Sequence, residues 1–425
     1  MSHIYKLDCV PNNYHWGKIG RSSKVAQYMS SYPNFKVDDS KPYSELWMGT
    51  HPDGMSMLSD KKSTSLANLI SSDPEKYLGS NIAALYENQL PFLYKILSIQ
   101  TALSIQAHPG KKLAQELHIK SPNLYRDPNH KPEMSIALTE FEAMSGFRPL
   151  EEISAFINEY PELRNVIGTD IADNFVKVSN SKSSTLQEQK SALKAAFGAL
   201  MKQSQQVISD NLHSLLEKTK SQSHQTGSIP ELIHRLNSQY PDDVGIFCLM
   251  FLNIIILKPG DAFFMGADEP HAYISGNIVE CMATSDNVVR AGLTPKFRDV
   301  DVLVDMITYD FGPAESKLTV PTEWRNSNTQ GPPSKFSKLY NPPIDEFSIL
   351  RTSLPSNTDF DQILISGPAI VFIAEGNGSI KTENQKVDIS EGNSFFIPAN
   401  TPFTLENTNS SDHQLLAYTA FCSGL

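Results

Sequence analysis

The chain has little cysteine, no apolar run long enough to cross a bilayer, no basic excess and no glycine-rich phosphate loop. Its four cysteines, Cys9, Cys248, Cys281 and Cys422, are scattered over 425 residues without a CxxC pair. That pattern reads as free thiols in a reducing compartment and leaves any metal to nitrogen and oxygen ligands. The most apolar stretch, FCLMFLNIIIL from Phe247 to Leu257, is interrupted by Asn253 and is too short to span a membrane. The N-terminal MSHIYKLDCVPNNYHWGK has neither the apolar core of a secretory signal nor the pattern of a transit peptide, so a cytoplasmic protein is expected. A net charge of −11 argues against a nucleic-acid partner. It leaves room for a small anionic ligand, because a local cluster of lysine and arginine dominates inside a cleft. The GNG at Gly376–Gly378, between VFIA and SIKT, predicts a hairpin turn rather than a nucleotide fingerprint.

Short β-like segments and turns fill the chain from Ile4 to about Pro149, with LPFLYKILS, TALSIQAH and EMSIALTEFEAMSGF as strands. LEEISAFINEY, STLQEQKSALKAAFGALMKQSQQVISDNLHSLLEKTK and IPELIHRLNSQY then carry apolar residues at helical spacing. Strands resume near Asn253, FRDVDVLVDMITY predicts a further helix, and the chain is all-β after a proline-rich stretch. The segment from Gly260 to Ala272 overlays that from Gly392 to Thr404 without a gap, sharing a glycine, two phenylalanines, an alanine and a later proline. This strand–turn–strand pattern is similar to the second half of a cupin motif. The expected fold is mainly β with a helical insertion: two cupin-like jelly-roll barrels plus an α-helical domain. The first barrel would be discontinuous, over 1–149 and 241–309, with the helices at 150–240 and the second barrel at 310–425. His271 of the first repeat corresponds to Phe403 of the second, so the second barrel is expected to be metal-free.

LSIQAHPGKK, from Leu103 to Lys112, alternates strictly, with Ser104, Gln106 and His108 on one face and Leu103, Ile105 and Ala107 on the other. By the same period Lys131 and Glu133 share a face in HKPEM, as do His271 and Tyr273 in EPHAY. Two imidazoles, a carboxylate and an amide oxygen form a set suited to Zn²⁺. Two histidines and one carboxylate suit Fe(II) as well, and each histidine taken alone is more often a core or surface residue than a ligand. His118, His213 and His234 sit in polar helical settings and are expected to be solvated.

LPFLYKILSIQTALSIQAHP, HKPEM, GDAFFMGADEPHAYISG, VECMATSDNVVRAGLTPKFRDV, YHWGK and ELWMGTHPDG resemble type I mannose-6-phosphate isomerases over nearly the whole chain and in the same order. The helical block and the long C-terminal portion fit a eukaryotic, fungal-like member. The resemblance implies a zinc enzyme, one Zn²⁺ per chain, that interconverts mannose 6-phosphate and fructose 6-phosphate and feeds GDP-mannose synthesis. It places the zinc ligands on Gln106, His108, Glu133 and His271 and a catalytic arginine on Arg290. It also places residues of substrate binding or proton transfer on Trp16, Glu45, Ser104, Lys131, Glu280, Asp286 and Lys296. Three positions depart from the family pattern: Gly110 for an acid, His15 in YHWG and Asn277 in SGN.

The chemistry sets its own requirements. Aldose–ketose isomerisation through a cis-enediol needs a Lewis acid near O1 and O2 and a base that shuttles a proton between the carbons. Glu280 is the candidate base. Arg290 stays protonated and can only stabilise developing negative charge. Lys131, Lys296 and Ser104 are candidates for the phosphate, and Trp16 and Trp47 for the sugar face. The protein is expected to act as a monomer. A non-haem iron oxygenase and a non-catalytic sugar-phosphate-binding protein of the same fold are the rival readings.

Overall fold

The computed structural model describes residues 3–222, 225–326, 332–356, 361–409 and 413–424. Its first β unit is organised around one long strand, His271–Ala283, whose thirteen residues are nearly all buried. The first half of this strand pairs with Phe141–Phe147 and, at His271, with Gln106. From Gly276 onward it pairs with Phe92–Ile99 on one edge and Glu133–Ala137 on the other. Gly276, at φ +118°, marks the changeover. A Cβ there would stand 2.5 Å from the Glu140 carbonyl oxygen, so only glycine fits. Phe92–Ile99 is buried along its whole length, which explains why it reads as a continuous apolar run rather than an alternating one.

The mainly β class with a helical insertion is as expected, but among the described residues the barrels do not close through hydrogen bonds. The ten-stranded sheet runs as an open path from Leu252–Leu257 to the two-residue strand Pro11–Asn12. Proline at that edge has no N–H to offer a further strand. Interior packing by Leu97, Ile99, Phe141, Phe263, Tyr273 and Ile278 holds the curl instead.

The C-terminal unit packs an eight-stranded sheet on a four-stranded one around Leu350, Val371, Ile380, Phe395, Phe403 and Leu405. Gly260 and Gly392, equivalent in the sequence repeat, both take positive φ, +91° and +86°. The GNG does not make a hairpin. Ala369–Glu375 and Asn377–Lys381 lie in different sheets, and Gly376 turns the chain from one to the other because the continuation of each strand is paired elsewhere. The N-terminal strand Tyr5–Asp8 pairs with Ser394–Ile397 of the C-terminal unit. A common core joins the two β units through Tyr94, Ile96 and Val279 on one side and Phe372, Phe396 and Tyr418 on the other.

Among the described residues six helices, from Leu150–Glu159 to Ile229–Gln239, form the insertion. Thr185 and Glu188 close a reciprocal capping box at the start of the longest, and Ser204 and Ser228 cap the last two. The apolar faces of the helices cover the outer surface of the ligand-bearing strands, where Ile105, Ala107, Ala272, Ile274, Val289 and Ala291 join their core. No helix among the described residues is long and apolar enough to cross a membrane.

Two polar clamps fix the insertion to the sheet. Gln239 Oε1 accepts from the Ala102 N–H at 3.0 Å and Tyr240 Oη donates to the Ala102 carbonyl at 2.6 Å. The buried Glu142 carboxylate accepts two bonds from Arg235, at 2.7 and 2.8 Å, and one from Ser275 at 2.5 Å. Burial raises the Glu142 pKa, but Arg235 and Ser275 outweigh it and the net shift is downward. Arg235→Ala is expected to destabilise the protein by roughly 3 kcal/mol at neutral pH, since it strands a buried carboxylate. A carboxyl with a depressed folded-state pKa stabilises above its unfolded value and loses that contribution as pH falls. Urea unfolding should therefore show the gap between wild type and variant shrinking below the ordinary carboxyl pKa of 4.5.

Candidate metal centre

The strand after Leu103 is shorter than its alternation predicts. Only Ile105–Ala107 is extended and paired, so Leu103 turns into the sheet interior while Ile105 and Ala107 face the helices. Gln106 faces the other way, and register places it between two partners. It stands opposite His271 on one neighbouring strand and Arg290 on the other. Residues directly opposite in a sheet project to the same side, so His271, Gln106 and Arg290 form one row.

His108, just past the strand, and Glu133 complete a cluster with His271. All three side chains are buried, and their donor atoms lie within 4.8 Å of one another. His108 Nε2 is 3.6 Å from Glu133 Oε1, and His271 Nε2 is 3.3 Å from Glu133 Oε2. These spacings are close to the edge of a zinc tetrahedron with bonds of about 2.0–2.1 Å. His108 Nε2, His271 Nε2 and Glu133 Oε2 have no hydrogen-bond partner although fully enclosed. Each imidazole is oriented from behind: His108 Nδ1 donates to the Asn287 carbonyl at 2.7 Å and His271 Nδ1 to that of Glu269 at 3.1 Å. The Nε2 lone pairs are thereby left free toward the same point.

The local field supports the same state. Burial lowers the His108 pKa to about 4 against the opposing pull of Glu133, so the ring is neutral at pH 7. Burial would raise the Glu133 pKa, yet Lys131 and His108 overcome it and hold the carboxyl well below its usual range. Lys131 Nζ lies 3.1 Å from Glu133 Oε1. A neutral imidazole at His108 beside an ionised carboxylate at Glu133 is the pair of protonation states that metal ligation requires. The residues fit a divalent metal.

Behind this cluster lies a second polar row that crosses four strands: Trp47, Lys95, Glu280 and Ser135 stand opposite one another in turn. Lys95 Nζ is 3.3 Å from Glu280 Oε2 and 4.8 Å from the centre of the Trp47 ring. Tyr273 donates to Glu280 Oε1 at 2.7 Å and accepts from Ser135 Oγ at 2.8 Å. Trp47 Nε1 donates to Glu45 Oε2 at 2.6 Å. Burial favours neutral Lys95, but Glu280, Glu45 and Glu133 together raise its pKa above the ordinary value. Burial raises the Glu280 pKa, with Lys95 pulling it back in part.

The remaining sequence candidates lie outside these rows. Asp286 is exposed, 3.4 Å from His51 Nε2, which lowers its pKa. Trp16 is half-buried and stacks on Tyr14, Ser104 is half-buried, and Lys296 is exposed on the turn before the helix Val300–Met306. Among the described residues, no hydrogen bond or ion pair ties these last three side chains to the cluster. Of the histidines expected in solvent, His213 is exposed, whereas half-buried His118 bonds the Tyr125 carbonyl and half-buried His234 pairs with Thr219. Gly110 starts the helix Lys111–Lys120, and its N–H donates to Asp268 Oδ1 at 3.1 Å, so the acid at this corner comes from another loop.

Lys95 is the residue that sequence reasoning missed. Its signal was a lone charge in the otherwise apolar LPFLYKILS, a residue type that is almost never buried without a partner.

Taken together, these features define a cupin-type metalloprotein with a helical insertion and a second β unit. Comparison with known proteins narrows the class. The description "Phosphomannose isomerase type I, catalytic domain" matches residues 4–150, the corresponding "helical insertion domain" residues 166–252, and "Mannose-6-phosphate isomerase, cupin domain" residues 343–410. Mannose-6-phosphate isomerases of Saccharomyces cerevisiae and Candida albicans are 44% and 41% identical, each alignment covering 98% of both chains. A crystal structure of the Salmonella typhimurium mannose 6-phosphate isomerase, described as bound to fructose 6-phosphate and zinc, superposes with a TM-score of 0.82. It is 30% identical and 99% of each chain is covered. The chain belongs to the type I mannose-6-phosphate isomerase family.

Lys95→Met tests the buried pair. Without the ammonium, Glu280 loses its main counter-charge and is expected to become protonated at neutral pH. Infrared difference spectroscopy should then show a carboxylic-acid band absent from wild type, with a loss of stability of about 3–5 kcal/mol. An unchanged carboxyl spectrum would mean that Lys95 does not hold Glu280 ionised.

Proposed function

We propose that this protein is a zinc-dependent aldose–ketose isomerase that interconverts D-mannose 6-phosphate and D-fructose 6-phosphate. The observation that carries the reading is the buried His108–Glu133–His271 set, with three unpartnered donor atoms converging in a chain of this family. In this reading Gln106, His108, Glu133 and His271 hold one Zn²⁺. The metal, when bound, supplies Lewis-acid polarisation of the substrate oxygens.

The protein's own groups do the rest. Glu280, whose buried carboxyl has a raised pKa, moves the proton between C1 and C2. Arg290, in the same row as Gln106 and His271, donates to the oxygens of the developing enediol. Lys131, Lys296 and Ser104 receive the phosphate, while Asp286, Trp16 and Glu45 border the sugar. Lys95 and Tyr273 are added to the earlier set as groups that hold Glu280 in place. The reading keeps the division into a split catalytic unit at 1–149 and 241–309, helices at 150–240, and a buttressing unit at 310–425 without a metal. It also takes the protein to be a cytoplasmic monomer that supplies mannose phosphate for GDP-mannose synthesis.

The test is conversion of mannose 6-phosphate by purified protein, before and after chelation and after zinc is restored. Activity should fall with the chelated metal and return with zinc, and His271→Ala should hold less than one zinc per chain. Glu280→Gln should keep its zinc and lower kcat by about 10²- to 10⁴-fold. Activity that survives complete removal of the metal would overturn the role of zinc. An unimpaired Glu280→Gln variant would overturn that of Glu280.

A further inference from the structure

Metal-holding side chains come from separate segments, and something must keep those segments in register. The fully buried Asn287 touches two of them at once. Its main-chain carbonyl accepts the bond from His108 Nδ1 at 2.7 Å. Its side-chain amide donates to the carbonyls of Asp127 at 2.7 Å and Asn129 at 3.0 Å, with Asp127 Oδ1 at 3.3 Å. The turn so gripped runs directly into His130, Lys131 and Glu133. Around it, Ser285 Oγ donates to the Asn129 carbonyl at 3.1 Å, Asn129 Nδ2 to that of Thr284 at 3.0 Å, and the Asp286 N–H to Asp127 Oδ2 at 2.8 Å. Downstream, Val289–Gly292 pairs with Ile105–Ala107, which fixes the Asn287 carbonyl relative to the strand that leads to His108.

We infer that Asn287 is a positioning residue for the metal centre, locking the His108 segment and the Glu133 segment into one geometry. Three oxygen acceptors surround Nδ2, while Oδ1 is enclosed without a partner, so the amide has only one acceptable orientation. Aspartate would set a carboxylate against those oxygens, and a shorter residue would release the turn. The inference rests on the proposed metal site but not on the identity of the substrate.

The experiment measures metal binding itself. Wild type, Asn287→Ala and Asn129→Ala are stripped, their metal-free melting temperatures recorded, and Zn²⁺ affinity read by competition with a chromophoric chelator. Co²⁺-loaded samples report ligand geometry through their visible bands. Asn287→Ala is expected to bind Zn²⁺ about 10- to 100-fold more weakly, the usual effect of losing an outer-shell support, and to alter the Co²⁺ bands. Asn129→Ala, which cuts a half-buried tie and leaves Asn287 in place, should weaken binding in the same direction by less. Should Asn287→Ala fail to fold, Asn129→Ala decides alone. Wild-type affinity and unchanged Co²⁺ bands in the folded variants would overturn the inference. So would a loss of affinity that only tracks a collapse of the metal-free melting temperature. Failure of wild type to bind Zn²⁺ would instead overturn the metal site, a distinguishable result.

Discussion

Charges taken out of water must find one another, and this requirement governs the catalytic unit. Glu133, Lys131, Glu280 and Lys95 are all removed from bulk solvent or nearly so, and against the cost of burial Lys131 lowers the Glu133 pKa, Glu280 and Glu133 raise that of Lys95, and Lys95 pulls that of Glu280 down. An isolated carboxylate in such a place would simply take up a proton. Here Lys131 keeps Glu133 ionised and Lys95 keeps Glu280 from drifting further upward. The His108 imidazole remains neutral because burial penalises its charged form more than a single carboxylate can offset, as the value near 4 records. A site with this balance is incomplete without a cation at the convergence of its orphaned atoms.

Holding such groups within a few ångströms demands a stiff frame. The strand His271–Ala283 provides it by belonging to both halves of the sheet, carrying His271, Tyr273 and Glu280 on one rigid element. The helical insertion secures the opposite face. Its core is continuous with Ile105, Ala107 and Val289, so helix packing and ligand placement are two sides of the same strands. The clamps on Ala102 and Glu142 add directional bonds where apolar contact alone would allow sliding. The C-terminal unit contributes from a third side through the shared core, and through Glu346, which bonds His130 beside Lys131 at 2.5 Å.

Much of this could be read from sequence where the information is local. Period-two alternation put Gln106 and His108 on the face away from Ile105 and Ala107, and the structure agrees. The repeat of glycine and paired phenylalanines located two related turns, whose glycines share a left-handed backbone. Helical spacing marked the insertion. Local reasoning failed at Leu103, at Gly376 and at the expected ring closure, all places where the next element in space is not the next in sequence. A turn between two strands looks the same whether those strands pair with each other or with others far away.

Residue pattern alone therefore determined that Gln106 and His108 lie on the face away from Ile105 and Ala107, and where the helical insertion falls in the chain. Only the tertiary structure decided who meets whom. Lys95 finds Glu280 across 185 residues of chain, and Asn287 bridges His108 to the turn at Asp127. Those meetings depend on strand register and on the bend at Gly276. Register is set by packing summed over whole sheets, and no short stretch of sequence carries that sum.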